Sequence, residues 1–568
     1  MSYDLKPMKA PRAAGRMLRM LVAALEGPAG GRLLAKKLLS DAGIAAWRNK
    51  PAGCAPDMRL PVFDHGEPCH PVDAPPADLD GLYTAYADLL PHGSYQPETI
   101  GEFAAAYRQG SVTPVDVAER ALEILADSEA TTPAMRVLID CKRDDVMKQA
   151  QASAARYAAG TPRSVLDGVP VAVKDELDQA PYPTTVGTRF LGTAPAKHDA
   201  TVVARLRAAG ALLIGKANMH EIGLGVTGVN PHHGSARNPY NPHHVTGGSS
   251  SGSAAAVAMG LCPLAVGADG GGSVRVPAAL CGQVGLKATF GRISEHGAAE
   301  LCWSVAHIGP IASSVRDCAL GYALMAGADA LDTCSQMQPS PSFDGIVDHD
   351  LTGKRIGIFR PWFEDANSEV VAQCEHALSL LTRAGATLVD VTLAELEAMR
   401  VAHLISIVSE MVAAHAQYYR DHRADYGLDV RLSLALGRQL SAADYVHAQR
   451  HRALVYRRFA KVLAEVDVIA TPMTGMTAPV LPLDALATGE SNLEVTGNII
   501  RFATAANLTG LPAITVPVGY DGGGLPVGLQ LIGGAWQEAM LLRLAAVVEA
   551  GSARQVPLIH YRYLAAER

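Results

Sequence analysis

Six short aliphatic runs, at residues 169–173, 211–214, 264–266, 355–358, 466–470 and 513–518, recur along the chain between segments of helical character. Strands of this kind, apolar along their length and separated by helices, suit a sheet covered on both faces. The helical segments carry their own punctuation. Thr113-Pro114 followed by Asp116 supplies an N-cap, a proline at the first helical position and an acid in the first turn, predicting a helix over 115–125. An Ala-rich stretch at 144–159 predicts another. The fold class expected is therefore α/β, and no internal repeat is present.

Composition narrows the class further. Apolar residues make up 49% of the 568 residues and charged residues 18%, which excludes a mainly disordered chain. Aromatics are only 5%, so the core must be aliphatic. A net charge of −7 gives no bulk reason for nucleic-acid binding. Nine cysteines without a CxxC pair fit a reducing compartment, and a cytoplasmic location is expected. No run of 18 apolar residues exists to span a membrane.

The first fifty residues depart from that average, with ten basic residues against Asp4, Glu26 and Asp41. Leu18, Leu21, Val22 and Leu25 follow the spacing of one helical face, with Arg12, Arg16 and Arg19 clustered on the other. Gly27-Pro28 stops this helix, and a second is expected over 32–39. Such a basic amphipathic pair can lie in a membrane interface or cap the main body. Residues 50–97 are Pro-rich and poorly periodic, reading as an ordered linker. The domain division expected is a helical cap and linker over 1–97, then a catalytic domain over 98–568.

Several motifs look chemical without the context their chemistry needs. Gly223-Leu-Gly225-Val-Thr-Gly228 matches a dinucleotide loop, but Asn230-Pro231 stands where its helix should begin. In Gly210-Ala-Leu-Leu-Ile-Gly215-Lys216 the metal-binding Ser/Thr of a phosphate loop is Ala217. The pairs His232-His233 and His243-His244 lack nearby cysteine partners, and no metal or cofactor is expected. Gly248-Ser-Ser250-Ser-Gly252 fits a nucleophile elbow but has no strand before it.

Two Gly/Ser clusters remain. Gly247-Gly248-Ser249-Ser250-Ser251-Gly252-Ser253 opens into a helix at 254–259, and Asp269-Gly270-Gly271-Gly272-Ser273-Val274-Arg275 follows an aliphatic run. Three glycines before a serine let successive N–H groups converge on a developing oxyanion, with the serine placed as nucleophile. A pair of tight turns at helix entries is the alternative reading. Lys174 ends the run Val169-Pro170-Val171-Ala172-Val173, on the same strand face as Ala172 and opposite Asp175. Buried with no carboxylate beside it, it would be pushed toward neutrality and serve as a base; a lysine snorkelling from a strand end is the alternative.

Joined together, these pieces resemble the amidase signature family of serine hydrolases. The match runs from Gly168-Val-Pro-Val-Ala-Val-Lys174-Asp175 through the serine-rich cluster to Gly285-Leu-Lys287, with a further segment from Asn507-Leu-Thr-Gly510 to Gly528-Leu-Gln530. The Asp-Gly-Gly-Gly-Ser-Val-Arg run, residues 249–251, Thr471-Pro-Met-Thr-Gly-Met-Thr-Ala-Pro479 and Met8-Lys-Ala-Pro11 look most like the plant-type fatty acid amide hydrolases. The resemblance implies a mixed central β-sheet flanked by helices on both faces, with a helical N-terminal extension.

It also implies a triad: Ser273 as nucleophile, Ser249 after a cis peptide bond as bridge, and Lys174 as base. The N–H groups of Gly270, Gly271, Gly272 and Ser273 would form the oxyanion hole, with Ser250, Asp269 and Arg275 in support. The family usually reads Thr-Asp-Thr-Gly-Gly-Ser where this chain reads Ala268-Asp269-Gly270-Gly271-Gly272-Ser273; the amide of Gly270 survives that change. The substrate implied is a small amide, amphipathic or lipid-like, with N-acylethanolamines foremost and Met8, Leu21, Leu25, Met473 and Met476 as pocket candidates. A homodimer and peripheral membrane contact through the N-terminal helices are expected. The rivals are an aryl or short-chain acylamidase, the A component of a glutamine-dependent amidotransferase, an esterase using Ser250, and a non-catalytic binding protein.

Overall fold

The computed structural model describes residues 3–8, 11–27, 31–52, 78–85 and 95–564. Its centre is an eleven-stranded mixed sheet. In order across it lie Thr387–Asp390, Arg355–Ile358, Val468–Pro472, Pro526–Gly533, Ala513–Tyr520, Val284–Lys287, Ile308–Ala312, Leu264–Ala268, Pro170–Lys174, Leu212–Ala217 and Leu138–Asp140. All six aliphatic runs are strands of this sheet. Five further strands escape the sequence reading because glycine, proline or polar ends interrupt their apolar pattern, as in Ile308-Gly-Pro-Ile-Ala312.

Helices flank the sheet, as the α/β reading expects. Pro114–Ala130 begins with the Thr113/Asp116 capping box and runs five residues past the expected end. Arg143–Ala158 packs beside it. The interior is aliphatic: Val171, Val173, Leu213, Leu264, Val266, Leu286 and Leu529 belong to one continuous buried cluster.

At the N-terminus, Gly15–Glu26 and Gly31–Asp41 are helical as expected. Leu18, Val22 and Leu25 are buried against Leu432 and Ala435, while Leu21 is half-buried. Residues Ala13 and Ala14 pair antiparallel with Ser491 and Glu490, and Arg12 bonds Asp484 and Glu490, so the extension is stitched to the body. Most of the expected linker lies outside the described residues, at 53–77 and 86–94. No helix among the described residues is long and apolar enough to cross a membrane.

Candidate active site

The strand Pro170–Lys174 lies between Leu264–Ala268 and Leu212–Ala217, parallel to both, so its end delivers Lys174 beside the end of Leu264–Ala268. There the lysine is buried, its Nζ hydrogen-bonded to Ser249 Oγ at 2.9 Å and donating to Ala268 O at 3.1 Å. Asp175 faces away, as strand alternation requires, and pairs with Lys216 at 3.6 Å. One expectation fails. Lys174 does have a carboxylate beside it, Glu176 Oε2 at 2.7 Å, because the chain turns after the strand and brings residue 176 back over it.

Both Gly/Ser clusters close on the same point. The Gly248–Ser249 peptide is cis. Ser250 N donates to Ser273 O at 3.2 Å, and the Ser250 hydroxyl joins Ala268 through both its N–H and its C=O. Ala268 O therefore receives Lys174 and Ser250 together. Ser273, 7% exposed, opens on a cavity. The Ser249 and Ser273 hydroxyls are not hydrogen-bonded to each other here, and such links are commonly long in an unliganded site.

The glycine loop is held from behind by a buried polar network. Asp269 Oδ1 accepts from Gly272 N at 2.6 Å and Oδ2 from Val274 N at 3.1 Å. Arg275 grips both carboxylate oxygens, at 2.9 and 3.0 Å, and reaches Gln530 and Asn507 with its other donors. Burial alone would raise the Asp269 carboxyl, but the Arg275 guanidinium and the Asn507 amide hold it well below the usual carboxylate range. Asp269 and Arg275 thus hold the glycine loop from behind. One donor changes: the Gly272 N–H is spent on Asp269, leaving those of Gly270, Gly271 and Ser273 without a protein partner among the described residues.

The sequence reading misses His403. Its Nε2 is 2.8 Å from Gly270 O, which makes Nε2–H the donor and fixes the tilt of that peptide. Burial pushes its imidazole down to about 4, so it stays neutral. No motif surrounds it in the sequence; it arrives on the helix Leu396–Ala414 from well over a hundred residues downstream.

The cavity at Ser273, about 240 Å³, is walled by Gly223–Thr227 and by Leu404, Ile407 and Val408. The supposed dinucleotide loop is therefore a wall of this cavity, with Gly223 close to Ser249 and Gly225 against the His220 ring. The cavity shares Leu404, Val408, Leu432 and Leu493 with a second of about 390 Å³ under the N-terminal helices. Of the pocket candidates, Met8 lines the first cavity and Leu21 the second. Leu25 and Met473 are core residues, and Met476 packs against the core, because neighbouring elements cover the faces they occupy. The histidine pairs make ordinary contacts: His232 with Glu221, His233 with Thr188 O and His244 with Ala478 O.

Residues 120–542 match the Amidase family. The chain belongs to that family. It is an amide-hydrolysing serine enzyme, built on the family's mixed sheet. It is 42% identical to a fatty acid amide hydrolase of Arabidopsis thaliana over 96% of this chain and 94% of the relative. The fatty acid amide hydrolase of Medicago truncatula is 41% identical over 99% of this chain and 97% of that protein. The structure of the peptide amidase PAM bound to the competitive inhibitor chymostatin superposes with a TM-score of 0.70 at 30% identity, covering 81% of this chain and 98% of that one.

Proposed function

We propose that this amidase cleaves long-chain acyl amides, N-acylethanolamines among them, through Ser273, Ser249 and Lys174. The observation that carries the reading is the Lys174–Ser249 contact set beside a serine that opens on a cavity sharing apolar walls with a second under the N-terminal helices. Neutral Lys174 takes the proton of Ser249, which takes that of Ser273 as its Oγ attacks the carbonyl. The N–H groups of Gly270, Gly271 and Ser273 receive the oxyanion. The proton then returns through Ser249 to the amine nitrogen as the C–N bond breaks, and water, activated by the same relay, hydrolyses acyl-Ser273.

Those apolar walls suit an acyl chain. Each methylene taken out of water contributes about 0.8 kcal/mol, so kcat/KM should rise roughly fourfold per methylene until the apolar walls are filled. Measurement across amides of increasing acyl length tests this, and no gain beyond a two-carbon acyl group overturns it. An activated fluorophosphonate should modify Ser273; an adduct on Ser250 would defeat the assignment.

The catalytic unit in this reading spans 98–568, with 1–97 as its helical cap and linker. Met17, Met20 and Leu33 stand exposed on the cap beside Arg16, Arg19 and Arg32, which supports peripheral contact with an anionic membrane. Co-sedimentation with anionic vesicles should weaken in Met20→Glu/Leu33→Glu. A homodimer joined across the same helices would cover these side chains instead, and sedimentation without lipid separates the two.

A further inference from the structure

We propose that Glu176 is a positioning residue of the proton relay: its carboxylate orients the Lys174 amine so that its lone pair faces Ser249. The inference rests on Lys174 being the base.

The geometry is specific. Glu176 Oε2 lies 2.7 Å from Lys174 Nζ, both side chains being buried, and this oxygen has no hydrogen-bond partner elsewhere among the described residues. Lys174 Nζ thus has three neighbours: the Ala268 carbonyl, the Glu176 carboxylate and the Ser249 hydroxyl. The first two can only accept. A neutral amine carries two N–H bonds and one lone pair, so one N–H goes to Ala268 O, the other to Glu176 Oε2, and the lone pair is left facing Ser249 Oγ. Without the carboxylate the amine could rotate an N–H toward Ser249, and the lone pair would point away from the proton it must take.

The same contact couples the relay to its surroundings. A cavity of about 490 Å³ has Glu176 and Ala268 in its wall and shares no lining residue with the cavity at Ser273. Glu295, Cys302 and His307 face it from neighbouring elements. Burial, with Asp332, Glu176 and Glu410 nearby, keeps the Glu295 carboxyl well above its usual range, and burial with Glu176 and Glu410 does the same to the Cys302 thiol. Burial, and then Lys287, holds the His307 imidazole well below its own. The carboxylate in contact with the Lys174 amine is that of Glu176.

The experiment measures kcat and KM for amide hydrolysis by the full chain and by Glu176→Ala, Glu176→Gln, Glu176→Asp and Lys174→Ala. Removing the acceptor in Glu176→Ala should lower kcat by about tenfold with KM little changed. Glu176→Gln keeps an acceptor oxygen and should recover most of that loss. An unchanged kcat in Glu176→Ala, or no recovery in Glu176→Gln, overturns the proposal. Should Glu176→Ala not fold, Glu176→Asp decides: its carboxylate, drawn back by one methylene, lowers kcat without loss of fluorophosphonate labelling capacity, and an unchanged kcat overturns the inference. Full activity in Lys174→Ala would instead defeat the underlying assignment of the base.

Discussion

Asp269 does for the glycine loop what no side chain within that loop could do. Its carboxylate fixes three backbone N–H groups, at Gly272, Val274 and Arg275, and leaves others facing the cavity. A carboxylate buried this completely is tolerable only because Arg275 and Asn507 surround it. Arg275→Ala should therefore destabilise the fold by about 3 to 5 kcal/mol, leaving a buried charge unpaired, as chemical denaturation would show. Since the folded state depresses the Asp269 carboxyl, its contribution to stability is present above the ordinary carboxylate range and is lost as pH falls below it. Gly272 is constrained twice over, by φ +114° and by an added Cβ that would lie 2.7 Å from the Ala503 methyl. Gly272→Ala should shift the loop and lower kcat by about 10² or more, as loss of oxyanion donors does, with KM little changed.

At the scale of elements, the helix Leu396–Ala414 carries two functions on neighbouring faces. His403 meets the glycine loop, while Leu404, Ile407 and Val408 recur at helical spacing along the cavity wall. A second helix, Val315–Met325, is buried along its whole length, and two buried carboxyls stand at its N-terminal turn. Asp317 accepts from Ile100 N and Ser313, and Glu549 accepts from Val315 N at 3.0 Å. Burial raises both, each to about 7. Their folded values exceed the unfolded ones, so the stability they contribute is complete below about pH 4 and is lost as pH rises through about 7. Thermal melts of Glu549→Gln should accordingly fall less steeply than wild type between about pH 5 and pH 8; equal slopes would refute this.

For the molecule as a whole, the N-terminal helices and the body together wall a cavity of about 390 Å³. Leu404 lines both that cavity and the one at Ser273. Leu404→Asp should cost long-chain amides about tenfold or more in kcat/KM, through one desolvated charge beside the chain, while two-carbon amides change less than about threefold. An equal loss for both substrates would place the effect at the triad instead.

How much of this is legible in the sequence differs by feature. The sheet is legible wherever an apolar run is unbroken, since a strand covered on both faces must be apolar throughout. Lys174, Ser249 and Ser273 are legible because their neighbours are glycines, serines and strand residues whose backbone geometry is local, and the family resemblance then supplies their roles. The pocket is not. Leu21 and Leu25 share one helical face, yet one reaches a cavity and the other is core. Glu176 sits two residues from Lys174, where strand periodicity would place it on the same face, but whether its carboxylate meets the amine depends on how the chain turns past the strand end. His403 and Asn507 come from distant segments. The sequence by itself determined which residues could do chemistry, because that depends on residue type and on short-range backbone conformation. Tertiary structure alone decided which of them meet, which N–H groups remain free and where the cavities lie, because burial and charge pairing depend on elements far apart along the chain.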